Sequence, residues 1–181
     1  MSKKILIRNA DAIVTCDQED RVLYNSDILI CGGCIEAVGS KLTTDNAQII
    51  DATGKYVYPG LVNTHHHFFQ AFVRNLMTID RPGLTLMQWL DDIYKVFVRI
   101  NGDVADLIKH GCTCSVDHQY CYTPATGKHT VDRQMEAARL MGFRFVAARG
   151  TNTLPRWQGS TIPDEMCETT AEYLDDCQRL L

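Results

Sequence analysis

The sequence has no long apolar run and no excess of basic residues. Its first apolar stretch, Ile5-Leu6-Ile7, is broken at once by Arg8, which makes it too short for the apolar region of a secretory signal. Nowhere does the chain approach the roughly 18 uninterrupted apolar residues of a transmembrane helix. It carries 18 Lys and Arg against 22 Asp and Glu, a formal net charge of −4. We therefore expect a cytoplasmic protein that binds neither a membrane nor nucleic acid.

Cysteine is present, but not at the density of a disulfide scaffold. The chain has eight cysteines, which we expect to stay reduced in the cytosol. Cys31 and Cys34 form a Cys-x-x-Cys pair that resembles half of a zinc ribbon or a redox motif, but no second pair follows at a suitable spacing. The Gly-Gly between them is typical of a hairpin turn, and we interpret the pair as part of that turn.

The pattern of the chain changes at Pro59-Gly60. Residues 1–58 consist of short β-branched segments separated by Asn, Asp and Gly, which predicts a small β module. In residues 59–181, strand-like and helix-like segments alternate about three times, which is typical of parallel βα units in an α/β fold. The strands predicted in this second part are 61–64, 112–116 and 143–148, and the predicted helices are 86–100, 103–109, 131–141 and 163–181.

The predicted second part, residues 59–181, is too short for a complete βα barrel. An eight-stranded βα barrel takes about 250 residues, and three βα units do not close one. A parallel sheet that stops at three strands leaves an apolar edge open. The segment between Ile100 and Gly111 is also short for the helix that normally packs between the first two strands of such a barrel. We therefore expect an incomplete barrel in this chain.

The most informative segment is Tyr58-Pro-Gly-Leu-Val-Asn-Thr-His-His-His67. Because side chains alternate along a strand, His65 and His67 are predicted to point to one face and His66 to the other. Two imidazoles at the carboxyl end of a parallel strand are well placed to hold a divalent metal. Neutral imidazole suits zinc, iron or nickel. A histidine-rich turn with no ligand is the alternative that the triplet alone leaves open.

The Pro-Gly-Leu-Val-Asn-Thr-His-x-His segment follows a β module that ends Ile50-Asp51-Ala52-Thr53-Gly54-Lys55, and this combination resembles the amidohydrolase superfamily. The resemblance runs over essentially the whole chain. It implies half of a β-sandwich module in residues 1–58, followed by the first three βα units of a metal-dependent (β/α)8 TIM barrel in residues 59–181. It also implies that His65 and His67 are metal ligands, with zinc as the expected metal and iron as the alternative.

Within the superfamily, three segments resemble the 8-oxoguanine and isoxanthopterin deaminases and their hydroxytriazine-hydrolysing relatives. These segments are His65–Gln70, Gly111–His118 and Ala148–Thr151. The resemblance implies metal-dependent hydrolytic deamination of an amino-substituted N-heterocycle of the oxopurine, pterin or triazine type. In that reaction activated water attacks the ring carbon that bears the amino group, and ammonia leaves. The expected partner is therefore a small heterocyclic substrate.

Four residues are candidates for substrate binding: Gln70, His118, Tyr120 and Arg149. The carboxamide of Gln70 offers an acceptor and donors to a lactam edge, against the alternative of a solvent-facing side chain on a first helical turn. His118 ends the second predicted strand, on the face where barrel enzymes act, and either orients a metal ligand or contacts substrate; a capped, satisfied Asp117-His118 pair at the strand end is the alternative. Tyr120 lines the pocket or simply packs. Arg149 binds an anionic or carbonyl group, or forms a structural salt bridge.

The chain departs from the family in what it lacks. Complete members supply further metal-site histidines from the fifth and sixth barrel strands and an acidic group from the eighth, and no residue here matches those positions. A catalytic zinc usually has about three protein ligands, and a general acid or base must move protons to the leaving group. With that group absent, the catalytic residues stay unknown, and we expect the 181 residues alone to be inactive.

Two alternatives to deamination remain at this point. The first is another amidohydrolase reaction, such as hydrolysis of a cyclic amide or release of an alkylamine or halide from a triazine. The second is a non-catalytic metal-binding fragment, which the missing general acid or base favours. Whether the full-length protein forms a homo-oligomer is left open.

Overall fold

A computed structural model describes residues 3–73, 83–86, 88–90, 105–124 and 126–181. The chain divides into two compact units, Met1–Pro59 and Gly60–Leu181. Residues 101–104, which include the start of the predicted helix 103–109, and most of the predicted helix 86–100 lie outside the described residues. Within that helix, Leu86 and Gln88–Leu90 are helical.

The first unit is a five-stranded sheet. Its central strand, β1, pairs antiparallel with β2, and β2 pairs antiparallel with β3. Two short strands, β4 and β5, pair parallel with the other edge of β1. The predicted strands around Ile5 and Val14 are one continuous strand that contains a bulge, where Asn9 takes a φ of 60°. The strands are β1 (Lys4–Val14), β2 (Val22–Cys31), β3 (Cys34–Gly39), β4 (Gln48–Asp51) and β5 (Tyr56–Val57).

The hairpin between β2 and β3 accounts for the Cys-x-x-Cys pair. Cys31 and Cys34 oppose one another in the strand register, and Gly32 and Gly33 form the turn between them. The two glycines have φ values of 59° and 87°, as a turn matched to the strand twist requires. All eight cysteines lie within the described residues, and none of them forms a disulfide. The interpretation of the motif as a turn is confirmed.

The second unit is built on a parallel three-stranded sheet in the order β6-β7-β8. Because sequential parallel strands need a crossover connection, helical segments separate them along the chain. The strands are β6 (Leu61–His66), β7 (Cys112–Gln119) and β8 (Arg144–Arg149), and the α-helices are α1 (Ala105–Lys109), α2 (Thr130–Met141) and α3 (Thr170–Leu180). Three shorter 3₁₀ helices span Phe68–Val73, Arg156–Gln158 and Asp164–Met166.

The predicted continuous helix over 163–181 is wrong. The structure has a 3₁₀ turn at Asp164–Met166 and a separate α3 that begins after Thr169. The Thr169 side chain accepts a hydrogen bond from the Glu172 backbone, and the Glu172 side chain accepts one from the Thr169 backbone. This reciprocal capping box satisfies N–H groups at a helix start, and it therefore sets a new helix rather than continuing the preceding turn.

The core of the second unit lies between the sheet and its helices. Phe68, Cys112, Ala138 and Phe143 form a buried cluster, against which Leu107, Ile108, Ala137 and Phe145 pack. By contrast, three apolar strand residues are largely exposed: Leu61 at 62%, Val62 at 63% and Val146 at 54%. The described residues contain three parallel strands and no closed barrel, as expected for an incomplete one.

Among the helices that the structure describes, none has the length and apolar character needed to cross a membrane.

Replacing Gly60 by Ala should destabilise the second unit. A Cβ at Gly60 would lie 2.2 Å from side-chain atoms of Thr113 and 2.7 Å from its Cβ, so the start of β6 would have to move away from β7. We expect a loss of about 1–3 kcal/mol in the free energy of unfolding, measured by urea denaturation. Gly39→Ala is the matched control, because a Cβ there meets nothing within 4 Å. Equal urea midpoints for the two variants would contradict this close approach of β6 to β7.

Candidate metal centre at the carboxyl end of the parallel sheet

The carboxyl ends of β6 and β7 bring three histidine rings together. The Nε2 atoms of His65 and His67 lie 3.1 Å apart. His66 points elsewhere: it accepts a hydrogen bond from the Asn63 amide at 3.3 Å, and its ring contacts Phe68. The alternation predicted from the sequence therefore holds for the triplet, and His65 and His67 share one face.

The protonation of this pair follows from a backbone contact. Nδ1 of His67 lies 2.8 Å from the carbonyl oxygen of His118, and because a carbonyl only accepts, Nδ1 carries the proton. In the neutral ring Nε2 is then unprotonated and accepts from Nε2–H of His65. Burial lowers the pKa of His67 below its usual value, which favours this neutral form. The lone pair of His67 thus points at His65.

The pair fits a divalent metal. Two nitrogens bound to one zinc at about 2.05 Å in tetrahedral geometry are separated by about 3.3 Å, which is close to the 3.1 Å observed between the Nε2 atoms. The Nδ1–H bond to a carbonyl is the outer hydrogen bond that metal-ligating histidines usually make. Within the described ranges, no cluster of three or more His, Cys, Asp or Glu side chains could hold a metal. Two ligands are therefore available here.

Two predicted substrate-binding residues lie beside the histidine pair. The His118 ring stacks on His65, with centroids 4.3 Å apart and planes 26° apart. The Tyr120 ring meets His67 edge-on at 5.2 Å and Phe69 edge-on at 5.3 Å. Both rings therefore contact the histidine pair. Their role toward a substrate stays a prediction.

Gln70 lies one turn beyond His67. It belongs to the 3₁₀ helix Phe68–Val73 rather than to an α-helix, and its backbone N–H donates to the His67 carbonyl at 2.9 Å. Its side chain is partly buried. The position is compatible with the predicted contact to a substrate, which stays a prediction.

Arg149 lies in an ion-pair cluster of its own. Its guanidinium donates to both carboxylate oxygens of Glu168, to Asp176 at 2.9 Å and to the Gly150 carbonyl, and it covers the Tyr122 ring at 3.9 Å. Its side chain is only 5% exposed. The structural salt bridge that the sequence left open as the alternative is therefore present, and the guanidinium makes its polar contacts with two carboxylates and the Gly150 carbonyl rather than with the histidine pair.

Sequence reasoning assigned no role to Asp117, which the structure places directly behind the candidate metal centre. Its carboxylate is buried, with a side chain that accepts from the Phe68 backbone N–H at 2.6 Å. Burial raises its pKa to about 6, although the Phe68 N–H and the Gln134 side chain oppose that shift. The sequence signal that could have identified Asp117 is the alternation of the polar residues Ser115, Asp117 and Gln119, which lie on the face of β7 that the helices cover.

The sequence profile of the amidohydrolase family matches residues 56–179. The chain belongs to the amidohydrolase family. It is 45% identical over 188 aligned residues to the hydroxydechloroatrazine ethylaminohydrolase of Pseudomonas sp. (strain ADP), covering 93% of this chain and 39% of that enzyme. It is 33% identical to an isoxanthopterin deaminase from an unknown prokaryotic organism, covering 97% of this chain and 39% of the relative. The resemblance predicted from the sequence is confirmed.

Solved amidohydrolase structures share the fold of this chain. A triazine hydrolase variant matches with a TM-score of 0.88 and 28% identity, covering 98% of this chain and 42% of its own. The zinc complex of atrazine chlorohydrolase from Arthrobacter aurescens matches with a TM-score of 0.82 and 28% identity, covering 97% and 42%. The amidohydrolase chain thus spans about two fifths of the length of the relatives it matches. The family and its named members are hydrolases, among them aminohydrolases and deaminases.

Removing the charge of Asp117 should change how stability depends on pH. The folded-state pKa of about 6 lies above the usual 3.8, so between these values the folded chain binds more protons than the unfolded chain. Raising the pH from 4 to 7 should therefore cost the metal-free wild type on the order of 3 kcal/mol relative to Asp117→Asn, which stays neutral. Urea denaturation at stepped pH measures the difference, and a constant difference would contradict the raised pKa.

Breaking the Arg149 cluster should destabilise the fold strongly. Arg149→Met leaves the largely buried carboxylate of Glu168 without its cation and leaves Asp176 with Arg179 alone, and we expect a loss of about 3–5 kcal/mol. The matched control is Arg133→Met, because Arg133 is 80% exposed and pairs with Glu136 at the surface of α2. That control should change the free energy of unfolding by less than about 1 kcal/mol. Similar losses in both variants would argue against the cluster.

Proposed function

We propose that the protein carrying this chain hydrolyses an amino-substituted N-heterocycle of the oxopurine, pterin or triazine type, using a divalent metal held in part by His65 and His67. The observation that carries the proposal is the 3.1 Å approach of the two Nε2 atoms at the carboxyl end of a parallel sheet. Family membership supports it, as do relatives named for an alkylamino triazine and for a pterin. Zinc is the proposed metal, supported by the zinc complex of a structural neighbour.

Each residue of the site has a physical task in this proposal. A metal ion bound there supplies Lewis acidity and activates water at neutral pH. His67 presents its unprotonated Nε2 because the His118 carbonyl holds the proton on Nδ1. The rings of His118 and Tyr120 offer a wall against which a planar heterocycle can stack, and the Gln70 carboxamide pairs with a lactam edge. Arg149 is left out of the substrate contacts because its guanidinium is already paired.

The remaining catalytic groups lie, in this proposal, outside the 181 residues. The described part of the chain holds two candidate ligands, where a catalytic zinc usually has about three. None of the described residues is assigned as the general acid or base that the reaction needs. The chain spans 39% of its first two curated relatives. The proposed activity therefore belongs to the full-length protein, and the isolated chain should not turn over substrate.

A second reaction is favoured by one specific comparison. The relative at 45% identity is named for release of an ethylamino group from a hydroxytriazine. Hydrolysis at the same ring carbon expels an alkylamine in place of ammonia, with the same demands on the metal and on water. Release of ethylamine is therefore the second candidate.

Substituting the two ligands should remove both metal and activity. In the full-length protein, His65→Ala and His67→Ala should lower bound zinc to less than half and reduce kcat/KM by at least about 100-fold, because a ligand is lost. The assay uses 8-oxoguanine, isoxanthopterin and an N-ethylamino hydroxytriazine, with ammonia and ethylamine quantified separately. The product that forms distinguishes deamination from alkylamine release.

The triplet provides its own control. His66→Ala removes a histidine on the other face of the strand and should leave the zinc content unchanged. If all three alanine variants retain full zinc, the proposed metal centre is wrong. Robust ammonia release by the isolated 181 residues with added zinc would contradict the expectation that they are inactive.

A further inference from the structure

We propose that Asp117 is a positioning residue of the metal centre: together with the backbone carbonyl of His118, it fixes His67 and Phe68 at the end of β6. The inference rests on the proposed role of His65 and His67 as metal ligands. It assigns to Asp117 a task that neither the family match nor the sequence pattern provides, and it places the residue behind the site rather than in contact with substrate.

Two hydrogen bonds join His67-Phe68, just after β6, to Asp117-His118 near the end of β7. The Phe68 backbone N–H donates to Oδ1 of Asp117 at 2.6 Å. Nδ1–H of His67 donates to the His118 carbonyl at 2.8 Å. The first bond fixes the backbone immediately after His67, and the second fixes the rotation of its ring. Together they determine where Nε2 of His67 points.

The carboxylate acts at a place where the strand ladder is irregular. In the pairing of β6 with β7, Asn63 is opposite Ser115 and His66 is opposite Asp117, so three steps along β6 match two along β7. An extra residue in one strand disrupts the local ladder and leaves backbone groups without their regular partners. A buried N–H without an acceptor is costly, and the Asp117 carboxylate provides the acceptor for Phe68.

The Phe68 side chain also anchors the end of β6, on the side of the sheet that the helices cover. Its side chain is fully buried and packs with Cys112, Ala138 and Phe143, and its ring stacks on Phe145 at 5.4 Å. The residue after His67 is thus fixed by its ring on one side and by its N–H on the other. Loss of the carboxylate contact leaves the ring anchored but frees the backbone that leads into His67.

A purely structural role is the competing explanation, and Gln119 tests it. Gln119 is buried on the same face of the same strand, 1% exposed like Asp117. Its side chain donates to the Cys121 carbonyl at 2.8 Å and accepts from Gln134 at 3.0 Å, with no hydrogen bond to the histidine segment. A substitution at Gln119 therefore disturbs the same polar layer without touching the proposed contact.

The test compares zinc affinity with stability in the full-length protein. Asp117→Leu removes the acceptor at similar volume, Asp117→Asn keeps an oxygen that can accept from Phe68, and Gln119→Met disturbs the layer elsewhere. We expect zinc affinity, measured by chelator competition on folded protein, to fall at least about 10-fold in Asp117→Leu. It should stay within about 3-fold of wild type in Asp117→Asn and Gln119→Met, while Gln119→Met lowers the unfolding midpoint. If Asp117→Leu does not fold, Asp117→Ser, too short to reach Phe68, replaces it.

Two outcomes overturn the proposal. Unchanged zinc affinity in Asp117→Leu would show that the contact does not position the ligand. Equal losses of affinity in Asp117→Leu and Gln119→Met would show a structural effect of the whole polar layer.

A second measurement separates this inference from the proposed function. Nitrogen-15 spectra of the histidine side chains in metal-free protein report the tautomer of His67, which should be protonated on Nδ1 in the wild type and in Asp117→Asn. In Asp117→Leu we expect a mixture of tautomers, and an unchanged tautomer would overturn the positioning role. If the wild type binds no zinc through His65 and His67, the proposed function fails, and this readout still decides the role of Asp117.

Discussion

The parallel pairing of β6 with β7 is the interaction on which the candidate site depends. It brings the end of the histidine segment against the Asp117-His118 dipeptide, 49 residues further along the chain. Three contacts that hold His67 and the residue after it depend on this pairing: the carbonyl of His118, the edge of Tyr120 and the bond from the Phe68 N–H to Asp117. Residues of β7 and the segment after it therefore fix the orientation of the His65 and His67 rings.

The two faces of β7 have separate tasks. Ser115, Asp117 and Gln119 are buried on one face, in a polar layer unusual for a sheet covered by helices, whereas the His118 ring stacks with His65. Burying such groups is costly unless each finds a partner. The Asp117 oxygen that accepts from the Phe68 N–H meets this cost at the site itself, whereas its other oxygen has no hydrogen-bond partner among the described residues, so the cost of burying the layer is only partly offset.

Local patterns predicted much of this arrangement. Strand alternation was sufficient to place His65 and His67 on one face, and the Gly-Gly turn explained the paired cysteines, because both depend on residues close in sequence. The role of Asp117 could not be read in the same way, since its partner lies 49 residues away and acts through a backbone N–H. The partners of Arg149, Glu168 and Asp176, are likewise distant, and the predicted long helix failed because the Thr169 capping box starts a new one.

The separation of the two Nε2 atoms has a consequence for the energetics of metal uptake. They are 3.1 Å apart, within about 0.2 Å of the spacing for two nitrogens on one tetrahedral zinc. In the proposed metal centre, zinc binding requires one proton of His65 to move or leave, while the Nε2 spacing needs to change by only about 0.2 Å. For the proposed centre, the conformational entropy of ordering these two side chains is thus lost mainly when the chain folds rather than when a metal ion binds.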